Sequence, residues 1–136
     1  MKRFMTVLLA AVFSLSTAGV VLADGETIQK SEWTKKSFKI KGVAELKNED
    51  GTIHLILGDD FKTKNAPDLK FFLSPKPIAD ITGENILEGA VFIADLKKNK
   101  KAQSYTLPAG TDLSAFKSLV LHCEKYSKVW GGFDLE

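Results

Sequence analysis

The chain has 136 residues, with 19 Lys and Arg against 17 Asp and Glu, so its formal net charge is +2 at neutral pH. Two of the basic residues, Lys2 and Arg3, lie in the first 23 positions, where there is no acidic residue, so the remaining 113 residues are neutral. A neutral chain lacks the clustered positive charge of nucleic-acid-binding proteins, and we expect no nucleic-acid partner. One cysteine excludes an internal disulfide, and this length suits one domain with a single core.

The first 23 residues have the layout of a secretory signal peptide. A positive start is followed by an apolar run over Phe4–Val12, a milder apolar run to Leu22, and the small residue Ala23 where a signal peptidase cleaves. A membrane anchor is the alternative, because the whole run is long enough to consider for spanning. Small and polar residues within the run disfavour the anchor: Ser14, Ser16, Thr17 and Gly19. We expect a periplasmic or secreted protein without a membrane segment after cleavage.

The mature chain opens with a polar stretch over residues 24–36, which predicts a loose leader with Trp33 as its first anchor. Residues 37–46 then alternate between apolar and polar side chains, and this period of two indicates a half-buried strand. Gly42 in mid-strand indicates a bulge or a close backbone approach. The Asp-Gly pair within residues 48–51 predicts a hairpin turn, and Thr52–Leu57 predicts the returning strand.

Five further strands are predicted between turn signals: Leu69–Leu73, Ala90–Leu96, Gln103–Leu107 and two within Ser118–Leu135. Short helical turns are predicted at residues 84–87 and 113–116. The lysine-rich turn at 97–101 fits either an anionic partner or a solvated hairpin tip, and the tip is the preferred interpretation. About seven short strands without long helical periodicity predict an all-β fold, an antiparallel β-sandwich or barrel, as a single domain over residues 37–136.

The lone cysteine, Cys123, shares one face of its strand with Leu119 and Leu121. One interpretation is a packing residue, because free cysteine is commonly a small buried hydrophobe. The other is a thiolate ligand to a haem or a metal, which needs open space beside the sulfur. His122 points to the opposite face, so a Cys-His pair is not expected without a bulge.

The remaining chemistry-bearing residues form no catalytic set, because no nucleophile is paired with a base. His54 and His122 are interpreted as ordinary surface histidines. Trp130 stands before a Gly-Gly pair and is either an exposed platform for a flat ligand or a ring packed over a glycine-lined turn. An enzyme is therefore not predicted.

Several short motifs follow one another in a fixed order along the chain. They are Gly42, Asp60-Phe61, Pro67-Asp68-Leu69, Gln103-x-Tyr105-x-Leu107-Pro108, and Leu121-x-Cys123-x-x-Tyr126-x-x-x-Trp130-Gly131. This set, spanning Phe38 to Leu135, resembles the DM-thirteen domain, a small extracellular domain also described as an electron-transfer domain. The sequence departs from the family pattern at His122, where an aromatic residue is usual, and at Phe133, where a small residue is usual.

The resemblance implies a β-sandwich related to DOMON-type domains and a redox role for Cys123, through a haem or another redox centre. Tyr126 and Trp130 are the further cofactor-binding candidates in the same motif. The ring of Phe133 would occupy space that a cofactor needs. The alternative is a cofactor-free extracytoplasmic binding or adhesion module for a carbohydrate or a protein. The partner, a protein or a small molecule, stays unidentified at this point.

Overall fold

The computed structural model describes residues 25–136, and within that range the chain forms eleven strands and two single-turn 3-10 segments, Ile78–Asp80 and Leu113–Ala115. The strands are β1 (Glu26–Glu32), β2 (Thr34–Lys35), β3 (Ile40–Lys41), β4 (Val43–Glu49), β5 (Thr52–Leu57), β6 (Lys62–Thr63), β7 (Leu69–Ser74), β8 (Val91–Asp95), β9 (Gln103–Thr106), β10 (Ser118–Cys123) and β11 (Lys128–Asp134). No helix in residues 25–136 is long and apolar enough to cross a membrane. The signal peptide predicted over residues 1–23 lies outside the described residues.

Two antiparallel sheets form the body of the domain. The first has the strand order β1-β4-β5-β9, the second has the order β2-β11-β10-β7-β8, and β3 pairs with β6 in a small third sheet. The core draws on inward faces of both large sheets, with Leu46 and Leu55 from the first and Phe71 and Leu121 from the second. The all-β prediction is confirmed, and the two separate sheets make a sandwich rather than a closed barrel.

The prediction of a loose leader over residues 24–36 is wrong where β1 and β2 form. β1 pairs with β4 along its length, and β2 pairs with Gly131 and Gly132 of β11. The polar composition of β1 is that of an edge strand, in which only Gln29 is buried. The Gln29 amide donates to the backbone carbonyl of Asp134 at 2.8 Å and accepts from the backbone N–H of Glu136 at 3.0 Å. The first strand is thus bonded to the end of the chain.

Gly42 divides the strand predicted over residues 37–46 into β3 and β4. Its φ is +98°, and a Cβ there would lie 2.8 Å from Oδ1 of Asp60 and 3.1 Å from the backbone nitrogen of Phe61. The predicted close approach is therefore confirmed, because only glycine has neither a Cβ nor a penalty at this φ. The predicted hairpin turn is also confirmed, with positive φ at Asp50 and Gly51 between β4 and β5.

The long segment between β7 and β8 covers the outer face of the second sheet. Ile78, Ile81 and Ile86 from this segment form a second buried cluster with Val120 of β10 and Val129 of β11. All six residues of β10 are consequently buried, although its side chains alternate between two faces. The strand that carries the cysteine thus has core on one side and this covering segment on the other.

Candidate functional site

The hairpin of β10 and β11 carries the three predicted site residues. Leu119, Leu121 and Cys123 all belong to the main core, so the face predicted for Cys123 from strand alternation is confirmed. Cys123 is the last residue of β10, a free thiol with 0 % of its surface exposed. Its strand partners are Leu69 on β7 and Lys128 on β11. The sulfur therefore lies in the last layer of the core, at one end of the sandwich.

A β-bulge in β11 sets the direction of Trp130. Leu121 pairs with Gly131 and His122 pairs with Val129, so Trp130 is the extra residue between them. A bulge of this kind locally breaks the strict alternation of a strand. Val129 lies in the outer cluster, whereas Trp130 is 2 % exposed and belongs to the main core with Cys123. Sequence alternation does not reveal this extra residue.

Trp130 is a packed ring and not an exposed platform. Its ring centroid lies 4.3 Å from that of Phe38, and its Nε1 donates to the carbonyl of Lys64 at 3.1 Å. Gly131 beside it admits no side chain, because a Cβ there would lie 2.6 Å from the carbonyl oxygen of Thr34. Of the two interpretations of Trp130, the packed one is correct.

Tyr126 lies apart from the other two predicted residues. It is in the turn between β10 and β11 and is 55 % exposed, whereas Cys123 and Trp130 are buried. Strand geometry thus brings Cys123 and Trp130 into one cluster and leaves Tyr126 at the hairpin tip. A phenol so exposed offers a surface contact rather than a wall for a buried cofactor.

The surroundings of Cys123 do not fit a haem or a metal in this arrangement. Within residues 25–136 there is no group of three or more His, Cys, Asp or Glu that could hold a metal ion. A hollow of about 150 Å³ lies at this end of the sandwich and is lined by Leu69, the strand partner of Cys123, but not by Cys123. Cofactor pockets usually measure about 300–1,000 Å³, so this hollow is too small for a haem.

Phe133 fills core space as its size implies. It is 3 % exposed, and its ring centroid lies 5.1 Å from that of Trp33 in an edge-to-face arrangement. Trp33, the predicted anchor, also stacks near Phe71 at 6.2 Å and lines a surface hollow of about 520 Å³. The indole Nε1 of Trp33 is buried without a hydrogen-bond partner. The aromatic mass around Trp33 therefore closes the core beneath this hollow.

The interpretation of His122 as a surface residue is wrong. It is 1 % exposed, its Nδ1 has no hydrogen-bond partner, and its ring lies 6.1 Å from that of Phe72. The cause is the segment over the outer face of the second sheet, which a strand-alternation argument does not include. The only sequence signal was the apolar spacing of Ile78, Ile81 and Ile86 within a predicted loop.

Burial lowers the pKa of His122, which favours the neutral ring. The backbone carbonyl of Lys128 and the carboxylates of Glu124 and Asp68 act in the opposite direction, and the Lys70 ammonium adds to the lowering. Lys70 itself bonds Glu124 at 2.7 Å, and this bond, with help from Asp68, raises the Lys70 pKa. The two histidines lie on different sheets, because His54 belongs to β5 of the first sheet and His122 to β10 of the second. The His54 side chain is partly exposed, with Nε2 3.5 Å from a carboxylate oxygen of Glu49.

Comparison with known proteins adds one positive finding. A family model described as Electron transfer DM13 matches residues 20–135, which is most of the chain. No curated protein and no solved structure matches the chain. The relation to DOMON-type domains therefore stays a prediction.

Proposed function

The chain belongs to the DM13 electron-transfer family, and from that membership we propose that the protein is an exported β-sandwich domain with a redox role centred on Cys123. The family match is the observation that carries the proposal. Cys123 is the only sulfur of the mature chain, and it lies in the final layer of the core, where β7, β10 and β11 meet the loops at one end. Sulfur is the side-chain atom best suited to redox chemistry in this domain.

A redox role for Cys123 requires this end of the domain to open. Leu69 and the thiol are strand partners, and Leu69 is also part of the wall of the neighbouring hollow. The segment between β6 and β7 is held by the bond from Trp130 to Lys64 and by the backbone N–H of Glu124, which donates to the carbonyl of Asp68 at 3.1 Å. A haem or a metal would reach the sulfur only after these contacts give way.

The test is a visible absorption spectrum with metal analysis of protein purified from the exported fraction. If this end of the domain opens and takes up a redox centre, the exported protein will show absorbance or bound metal that Cys123→Ala lacks. The matched control is Tyr126→Phe, which changes the exposed member of the same motif and should leave the spectrum unchanged. Equal, featureless spectra in native protein and Cys123→Ala contradict a bound redox centre.

Thiol labelling separates an accessible sulfur from a sealed one. We expect slow labelling of native Cys123 that Leu69→Ala accelerates, because the smaller side chain joins the thiol to the hollow. Labelling that begins only at global unfolding in both proteins contradicts local opening.

Export is tested by the mass of the secreted protein, which should begin at Asp24 if cleavage follows Ala23.

The second candidate function is a cofactor-free binding module for a carbohydrate or a protein. The complete burial of Cys123 favours it, because a sealed thiol contributes packing and little chemistry. Surface hollows of about 520 and 550 Å³ lie away from the cysteine, beside Trp33 and Phe116, and are of the size that small ligands occupy. A colourless, metal-free protein with an inert thiol would support this candidate.

A further inference from the structure

Three lysines lie side by side across neighbouring segments near one end of the domain. Lys41 of β3 and Lys62 of β6 are direct partners in the small antiparallel sheet, and Lys62 also forms an isolated bridge with Lys100. All three side chains are exposed. Together with Lys39 and Lys64, which are also exposed, they are called the lysine face below.

The backbone holds these lysines in a fixed arrangement. Inward-facing Ile40 and Thr63 are buried between the outward-facing lysines. The Thr63 hydroxyl donates to the carbonyl of Lys39 at 2.9 Å. The Thr63 backbone N–H donates to the carbonyl of Asn99 at 2.9 Å, and the Asn99 side-chain amide donates to the Thr63 carbonyl at 3.0 Å. The positive charges are thus held near one another rather than carried on a mobile tail.

This arrangement of like charges costs stability. Like charges directly opposite each other in a sheet are destabilising. None of the ion pairs within residues 25–136 involves a member of the lysine face. Because residues 24–136 are neutral as a whole, the cluster is not the consequence of a generally basic chain. A local conflict of this kind is expected at functional positions.

An apolar hollow lies within the lysine face. It measures about 310 Å³ and is lined by Phe38, Thr63 and the stems of the lysines on both sides. The ammonium of Lys64 lies 5.6 Å from the centre of the Phe38 ring, and Phe38 in turn stacks on Trp130. A shallow apolar floor with a cationic rim fits an apolar side chain on a negatively charged surface.

We propose that the lysine face is a docking surface for an acidic protein partner, which places one apolar side chain in the hollow against Phe38. The small apolar floor enclosed by lysines favours a protein over a membrane, since a lipid surface offers a plane of charge and no single apolar side chain. A docked partner would lie one ring away from Trp130 and the core that contains Cys123. The proposal extends the redox function but does not need it, because docking can be measured without electron transfer.

The test compares two triple variants with the same change in charge. Lys41→Gln, Lys62→Gln and Lys100→Gln remove the centre of the lysine face. Lys30→Gln, Lys117→Gln and Lys125→Gln remove three exposed lysines elsewhere that form no ion pair within residues 25–136. The probes are poly-L-glutamate and, separately, vesicles of phosphatidylglycerol, both titrated at low and at physiological salt.

We expect the native protein to bind poly-L-glutamate, more weakly as salt rises, because exposed charges are screened. The lysine-face variant should lose about tenfold in affinity, about 1.4 kcal/mol, while the control variant changes about twofold or less. The lysine-face variant should also melt at a higher temperature than the native protein at low salt, which shows that it is folded. Lost binding in this stabilised variant identifies the surface.

Three outcomes overturn the proposal. The first is no binding of the native protein to poly-L-glutamate at low salt, and the second is an equal loss in both triple variants. The third is binding to phosphatidylglycerol vesicles without binding to poly-L-glutamate, which would assign the lysine face to a membrane surface. A colourless protein with an inert thiol would count against the redox function and leave the docking result intact.

Discussion

The indole Nε1 of Trp130 donates a hydrogen bond of 3.1 Å to the backbone carbonyl of Lys64, so the bulged strand β11 is bonded to the segment that follows β6. The same indole packs against the ring of Phe38, which lines the apolar hollow together with the lysines around it. Trp130 therefore connects the lysine face to the core cluster that contains Cys123. Substitutions at Trp130 should therefore affect both the lysine face and the core cluster.

We expect Trp130→Phe to lower the free energy of unfolding by about 1–3 kcal/mol, because the Lys64 carbonyl loses its donor and part of the ring's volume is left empty. Urea unfolding followed by far-ultraviolet circular dichroism measures the change. Tyr126→Phe is the control and should stay within about 0.5 kcal/mol of the native protein, since Tyr126 is largely exposed. Equal stability of Trp130→Phe and the native protein would mean that this bond contributes nothing.

Replacement of Cys123 by alanine and by serine should have different effects. Both lose the sulfur, but serine places a hydroxyl in a fully buried apolar cluster, at an additional cost of about 1–3 kcal/mol. We therefore expect Cys123→Ser to be less stable than Cys123→Ala in urea unfolding. Indistinguishable variants would indicate that water or a polar group reaches the position of the sulfur.

Acid should weaken the fold through His122. Burial lowers the pKa of this ring below its ordinary 6.5, so the unfolded chain takes up the proton more readily. The contribution of His122 to stability is complete above about pH 6.5 and is lost as the pH falls toward the lower folded-state value. We expect His122→Phe to flatten the dependence of unfolding free energy on pH between about pH 7.5 and about pH 5.5. A native-like pH slope in His122→Phe would contradict the assignment to His122.

Gly42→Ala should destabilise the domain more than Gly51→Ala. Both glycines have positive φ, +98° and +88°, so both alanine variants bear a similar backbone cost of about 1 kcal/mol. An added Cβ at Gly42 would also contact the Asp60 side chain and the backbone of Phe61, whereas nothing lies within 4 Å of an added Cβ at Gly51. The difference between the two variants in thermal unfolding measures the close approach of the backbone at Gly42 to Asp60. Equal effects would show that the approach relaxes freely.

The parts of the fold that follow local rules were predictable from sequence. The turn at Asp50 and Gly51 has the residues that positive φ demands. Thr52–Leu57 alternates except at Ile56, and Leu55 and Leu57 on one face of the strand are buried. The same alternation correctly predicted that the Cys123 side chain lies on the core side of its strand. Whether space lay beside the sulfur was not predictable, because that depends on Leu69, which comes from another strand of the sheet.

The wrong predictions concern residues whose environment is set by contacts distant in sequence. β1 reads as a polar leader because its stability comes from backbone pairing with β4 and from Gln29, not from an apolar stripe. His122 was predicted to be a surface residue because the segment that covers the outer face of its sheet is more than thirty residues away in sequence. The lysine turn at 97–101 looked solvated on its own, and the pairing of Lys62 with Lys41 and Lys100 emerges only from the fold.

The side chain of Gln29 joins the first strand to Asp134 and Glu136 at the end of the chain. The two ends of the domain are therefore neighbours, and a short loop could close the backbone into a ring. Circular permutants with new termini in the exposed turn at Asp50 and Gly51 should fold, and the whole domain should tolerate insertion into a surface loop of a host protein. A domain with adjacent ends can be added to another protein without separating the elements on either side of it.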